Sequence, residues 1–214
     1  GAAGYRSLSI AFSVALAAGA LLLLAKARRP VRAEAVAPVR WRELAQPFRQ
    51  ARFRALFAVL IVNGVASAIP ATLFMFFAAD RLRLAHLSGL FLILYFCAAA
   101  LSMPLWIALA RRFGEARVWA GAMLASALVF VWAFGLAPGA ALAFGAICVL
   151  SGLALGAELA LPPALLAGVI AAAGHGGARE AAYFGVWNWG VQVTLALAAG
   201  IALPLLGWFG YEPG

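Results

Sequence analysis

Glu158 stands in "GAELALPPALLAGVI" (156–170), an apolar run that carries no other charge. An ionisable acid inside such a run is costly in lipid, so it marks a functional site by default. It can bind a cation, relay a proton or hydrogen-bond a polar solute. The rival reading is a structural acid, protonated or paired with a neighbouring helix. Amides recur in similar settings. Asn63 and Ser67 are four residues apart, as are Asn188 and Gln192, so each pair shares one helix face. Amides both donate and accept, which suits hydroxyl-bearing ligands; they also serve as hydrogen-bonding contacts between membrane helices. Tyr95 adds a phenol. Trp187 offers an aromatic face, or a membrane-interface anchor.

The elements that must hold these groups are long and apolar. The 214-residue chain is 66% hydrophobic and 11% charged, with mean hydropathy +1.01. A soluble domain averages about 45–50% apolar and about 25% charged. Repeated apolar runs predict an all-α integral membrane protein. Spans are expected near 7–25, 54–78, 88–110, 117–136, 140–170 and 181–208. Pro162-Pro163 falls inside the fifth, which is long for one crossing, and predicts a kink or break there.

A net charge of +9 and a pI near 11.0 raise the question of nucleic acid. The placement of the charges answers it. If every run crosses, all of the 16 basic residues except Arg6, Arg81 and Arg83 fall on one side. The positive-inside rule assigns that side to the cytoplasm, and no nucleic-acid partner is expected. Within the basic loop, Trp41, Leu44 and Phe48 are spaced for a short amphipathic surface helix, with a solvated linker as the equal alternative.

The distribution of polar residues separates the spans. The first and fourth are nearly bare of them. The second carries Asn63, Ser67 and Thr72; the third Tyr95 and Ser102; the fifth Ser151 and Glu158; the sixth Asn188, Gln192 and Thr194. Four polar spans beside two bland ones predict a shared polar cavity. Cys97 and Cys148 have no CxxC spacing and read as small apolar residues. His86 and His175 read as loop residues without metal-ligand spacing, so no metal is expected. HExxH, GxSxG and GxxxxGK[ST] do not occur. The expectation is therefore not an enzyme, with no catalytic residues.

Four blocks, "VNGVASAIPATLFMFFAADRL" (62–82), "YFCAAALSMPLWIALARRFGEARVW" (95–119), "GAELALPPALLAGVI" and the segment 179–214, together resemble the glycoside–pentoside–hexuronide:cation symporter family. This is the melibiose-permease-like branch of the major facilitator superfamily. The resemblance implies a register. Residues 1–25 resemble helix 6, residues 26–53 the basic cytoplasmic linker, and residues 54–214 helices 7 to 11 of a twelve-helix transporter. A C-terminal-half fragment is thus expected, with the N-terminal half of the same transporter and the lipid bilayer as its partners. The turn holding Arg111, Arg112 and Arg117 resembles the superfamily's cytoplasmic gate. Two departures stand out: Gln192 where the family usually has Lys, and Gly168 where it commonly has Asp.

The expected function is secondary active transport of a small polar solute, a sugar or glycoside, by alternating access. The coupling ion implied by the resemblance is Na⁺ or H⁺, without other cofactors. The expected place is the bacterial cytoplasmic (inner) membrane. Asn188, Gln192, Trp187, Asn63, Tyr95 and Glu158 are the expected solute-site residues. The alternatives are a lipid or amphipathic-solute carrier on the same fold and a non-transporting membrane scaffold.

Overall fold

The computed structural model describes residues 2–26, 44–177 and 179–208. The regular structure among them is helical. The chain divides into two units, Gly1–Pro38 and Val39–Gly214. The first is a single helix, α1 (Ala2–Lys26), apolar over Phe12–Lys26.

The second unit holds five long helices. These are α2 (Ala51–Phe76), α3 (Ser88–Phe113), α4 (Glu115–Phe134), α5 (Ala141–Ala172) and α6 (Glu180–Trp208). Each is long and apolar enough to cross a membrane. A crossing needs about 20 residues at 1.5 Å rise. The turns are short and built for reversal. Gly114, between α3 and α4, has φ +89°, a backbone region that glycine enters without Cβ strain. At the opposite end Gly139 has φ +80°, and its N–H donates to the Leu82 carbonyl.

Three apolar clusters fix how the helices run. At one end, Phe53 and Leu60 of α2 meet Leu166 and Ile170 of α5 and Tyr183, Val186 and Trp187 of α6. At the other, Phe91 of α3 meets Phe144, Ile147 and Cys148 of α5, with Ala78 and Leu82 from the turn after α2. Ala110 of α3, Val118, Trp119 and Ala122 of α4 and Ala157 and Leu161 of α5 form the third. Neighbours in sequence are therefore antiparallel. The end bearing Phe53 carries Arg49, Arg52, Arg54, Arg111, Arg112, Arg117 and Arg179; the other carries Arg81 and Arg83. This is the charge division read from the sequence.

α5 is the central helix. It packs on α3 and α4 along its length, and on α2 and α6 near its C-terminal end. A helix covered on several sides has no polar face to show, which accounts for its nearly uniform apolar sequence. Of the kink or break expected at Pro162-Pro163, the break does not occur: α5 runs through both prolines. Pro162 is buried, and neighbouring helices can hold a proline-bearing turn in helical form. Each proline still withdraws the N–H that would bond the carbonyl four residues earlier. Those carbonyls belong to Glu158 and Leu159.

The amphipathic-helix expectation falls partly on residues 27–43, Trp41 included, which lie outside the described residues. Downstream, Pro47–Arg49 is a 3-10 turn. Leu44 packs on the cluster around Phe53, and Phe48 makes edge-to-face contacts with Phe53 and Phe57. These two residues thus pack back onto α2.

Candidate functional site

α2 is wedged between α5 and α6, and consecutive residues serve the two sides. Gly64 meets Thr194 of α6: a Cβ there would lie 2.8 Å from Thr194 Cγ2. Asn63, one residue earlier, turns to α5. Its Nδ2 stands astride the Glu158 carboxylate and donates to both oxygens, at 2.8 Å each. Amide and carboxyl are both half-buried. The orientation of the amide follows from chemistry. Its carbonyl oxygen facing two carboxylate oxygens would be repulsive, so nitrogen must face them.

Two further groups surround the acid. The hydroxyl of Tyr95, on α3, interacts electrostatically with Glu158. Trp119, on α4, is 3% exposed, and its indole N–H is directed at the Glu158 carboxyl. The geometry falls outside hydrogen-bond limits, so this N–H is buried without a partner. α2, α4 and α5 thus bring Asn63, Trp119 and Glu158 together, and the Tyr95 hydroxyl of α3 lies within electrostatic range. Sequence reasoning named Asn63, Tyr95 and Glu158. It missed Trp119, since a Trp near a span end reads as an interfacial anchor.

The remaining expected site residues lie elsewhere. Asn188 and Gln192 are both exposed on one face of α6. α6 meets α2 through Gly190 and Thr194, whose neighbours are Phe57, Leu60 and Gly64. The amides stand about 120–160° round the helix from that stripe at 3.6 residues per turn. No described hydrogen bond joins them to Asn63 or Glu158. One turn before Asn188, a Cβ at Gly185 would meet nothing within 4 Å, so the amides border open space. Trp187 is 5% exposed and packs in the cluster of Phe53, Leu166 and Tyr183. Two residues on, the Trp189 indole is exposed.

Arg111, Arg112 and Arg117 are exposed around the α3–α4 turn. The Arg112 guanidinium lies 5.2 Å from the Phe113 ring centroid. Beside them an open cleft of about 560 Å³ is lined by Ala110, Phe113, Gly114, Glu115, Ala116, Arg117 and Leu165. At the same end of the bundle His175 is more than a passive loop residue. Its Nε2 lies 2.8 Å from Arg179 Nη1 and its Nδ1 2.9 Å from the Tyr183 hydroxyl. A guanidinium only donates, so Nε2 accepts and the ring proton sits on Nδ1. His86 is exposed in the turn Ala85–Leu87. Among the described residues no group of three or more His, Cys, Asp or Glu is placed to hold a metal ion.

The arrangement holds a carboxyl, an amide, a phenol and an indole inside a bundle of membrane-length helices. It has no nucleophile–base pair, and it can bind or exchange small polar species. No match is found among curated proteins or among solved structures. A family model described as MFS/sugar transport protein matches residues 1–214. A multi-pass helical bundle with polar groups gathered at mid-span fits a transporter rather than an enzyme. The chain belongs to the MFS/sugar transport protein family, within the major facilitator superfamily.

Proposed function

We propose that the full-length protein is a cation-coupled secondary transporter of a small polar solute, a sugar or glycoside, working by alternating access. The observation that carries this reading is the Asn63–Glu158 bridge between α2 and α5. A polar contact inside a membrane bundle can be simple glue. Here the acid also faces the buried Trp119 N–H of α4, with the Tyr95 hydroxyl of α3 within electrostatic range, and glue needs only one partner.

The solute path lies along the open face of α6, where Asn188 and Gln192 supply donors and acceptors for hydroxyls. Tyr95, Asn63 and Glu158 stand at the inner wall. Alternating access rocks this half against an N-terminal half about a midplane site. Helices 7 to 11 of a melibiose-permease-like symporter correspond to α2–α6, and α1 to helix 6. The arginine-rich end faces the cytoplasm of a bacterial inner membrane, with Arg111, Arg112 and Arg117 at the cytoplasmic gate.

Gln192 favours a second reading. It is uncharged and lies between exposed Trp189 and Leu195, a surface also suited to an amphipathic solute. Counterflow in proteoliposomes separates the two. Labelled mono- and disaccharides should exchange and lysophosphatidylcholine should not. Exchange of the lysolipid alone would replace the sugar by a lipid, and exchange of neither would refute transport of both classes.

A further inference from the structure

The Asn63–Glu158 pair has a property that solute binding does not require. An ionised carboxylate only accepts hydrogen bonds, whereas a protonated one donates one and accepts another. A carboxamide can meet both forms. In the arrangement present, Nδ2 donates to both carboxylate oxygens. When one oxygen gains a proton, a swing of the amide in its own plane brings Oδ1 opposite the new O–H. The acid then donates to Oδ1 while Nδ2 donates to the other oxygen. Two hydrogen bonds exist before the proton arrives and two after.

We propose that Glu158 is a proton-binding site that Asn63 keeps hydrogen-bonded in both states, and that the coupling ion of this transporter is H⁺ carried between α2 and α5. The coupling part rests on the transport reading; the proton site does not.

A cation such as Na⁺ fits this site poorly. It needs several oxygen ligands, and here each carboxylate oxygen already accepts from the Asn63 amide, whose hydrogens would repel it. A lysine or arginine partner would fix the carboxylate in one charge state. Among the described residues the groups that face Glu158 are Asn63 from α2, Tyr95 from α3 and Trp119 from α4. None is cationic, and Tyr95 is the titratable one. Trp119 is the second observation. It brings a buried, unpartnered N–H from another helix toward the same carboxyl. A spare donor suits a group whose lone pairs change in number; a packing contact has no use for one.

The proton balance is simple. A hydronium ion in the solute path gives H⁺ to one carboxylate oxygen, which becomes O–H, and leaves as water; the site's charge rises by one unit. Release on the other side reverses the step. No covalent bond besides O–H changes.

Infrared difference spectra of the full-length protein, acidic minus neutral, test the site without a solute. The wild type should gain a carbonyl band of a protonated carboxylic acid that Glu158→Gln lacks. Gln preserves shape and the paired hydrogen bonds with Asn63, so the fold should persist. Asn63→Leu should keep the band but move it to higher frequency, because the carbonyl loses its donor. A purely structural Asn63 would leave the frequency unmoved. Identical spectra for the wild type and Glu158→Gln would overturn the proposal. Proteoliposomes with labelled melibiose test the coupling. An inward proton gradient should drive accumulation in the wild type. Glu158→Gln should lose accumulation, and any exchange it retains should no longer vary with pH. Accumulation that persists in Glu158→Gln, or that follows Na⁺ alone, refutes H⁺ coupling through Glu158. If the wild type exchanges no melibiose, that sugar reading fails, and the infrared result still decides the proton site.

Discussion

The two faces of α5 are built on opposite plans. Toward α3 the seam is close and dry. A Cβ at Gly152 would collide with the Tyr95 carbonyl, and one at Gly156 with Ser102 Oγ and, at 2.6 Å, with the Ala99 carbonyl. The polar groups in this seam are spent on its own backbone: Ser102 Oγ and Trp106 Nε1 both donate to the Leu153 carbonyl, at 3.1 and 2.7 Å. Toward α2, packing is confined to the basic end around Phe53 and Leu166, and the mid-span join is the Asn63–Glu158 bridge. Small residues that let backbones touch make a fixed joint. A single hydrogen-bonded bridge makes a joint that can change when its chemistry changes. α3 and α5 are thus joined by close backbone contact, whereas α2 and α6 meet α5 through the Phe53–Leu166 cluster and the Asn63–Glu158 bridge.

The largest expected effect tests the fixed joint. Gly156→Ala should destabilise the protein toward the upper end of the about 1–3 kcal/mol that overpacking costs. The obstacle is partly backbone, which cannot step aside as a flexible side chain would. The gain in helix propensity, about 0.5–1 kcal/mol, offsets only part of it. Thermal unfolding of purified protein, followed by tryptophan fluorescence, should register the loss. A Gly156→Ala protein as stable as the wild type would mean that this seam yields, and the contrast between the two faces would disappear.

The next effect tests the other joint. Asn63→Leu removes the bridge but should cost only about 0.6–1.7 kcal/mol, the range measured for polar contacts between membrane helices. That is less than Gly156→Ala, in the same unfolding assay. Its larger consequence should be on transport driven by a gradient. If Asn63→Leu unfolds the protein more readily than Gly156→Ala does, the bridge is structural support and the two faces have been ranked the wrong way round.

What the sequence disclosed divides along the same line. Five of the six expected spans are membrane-length helices and the first is a shorter apolar one; these, the gathering of arginines at one end and the oddity of an acid at 158 follow from hydropathy, arginine placement and the cost of a charge in lipid, all local properties. The pairing of Asn63 with Glu158 spans 95 residues, and no periodicity links them; only their shared improbability in lipid hinted at a meeting. Trp187 and Trp189 are two residues apart on one helix, and sequence alone could not say which faces inward. The contact stripe through Tyr183, Trp187, Gly190 and Thr194 settles that, since it follows the helical repeat and excludes position 189. The unbroken α5 escaped for a similar reason: proline propensity is local, and the packing that overrides it is not.

The smallest effect on stability, and the sharpest on function, belongs to the open face of α6. Asn188→Ala and Gln192→Ala remove exposed side chains, so each should shift stability by no more than about 0.5 kcal/mol. If these amides meet solute hydroxyls, each loses a hydrogen bond at a site that closes over the solute. The cost is about 1–3 kcal/mol, or roughly 5- to 150-fold in affinity. Because neither residue touches the Glu158 site among the described contacts, the response to the coupling cation should survive. Counterflow measured at several proton and sodium concentrations gives both numbers from one preparation. Weakened affinity with cation dependence intact keeps binding on α6 separate from coupling on α5. Normal affinity with altered cation dependence would move Gln192 into the coupling machinery, and the division of labour between the two helices would have to be redrawn. No change in either would make the amides contacts to a neighbouring helix, and the solute would have to be sought at the inner wall around Tyr95.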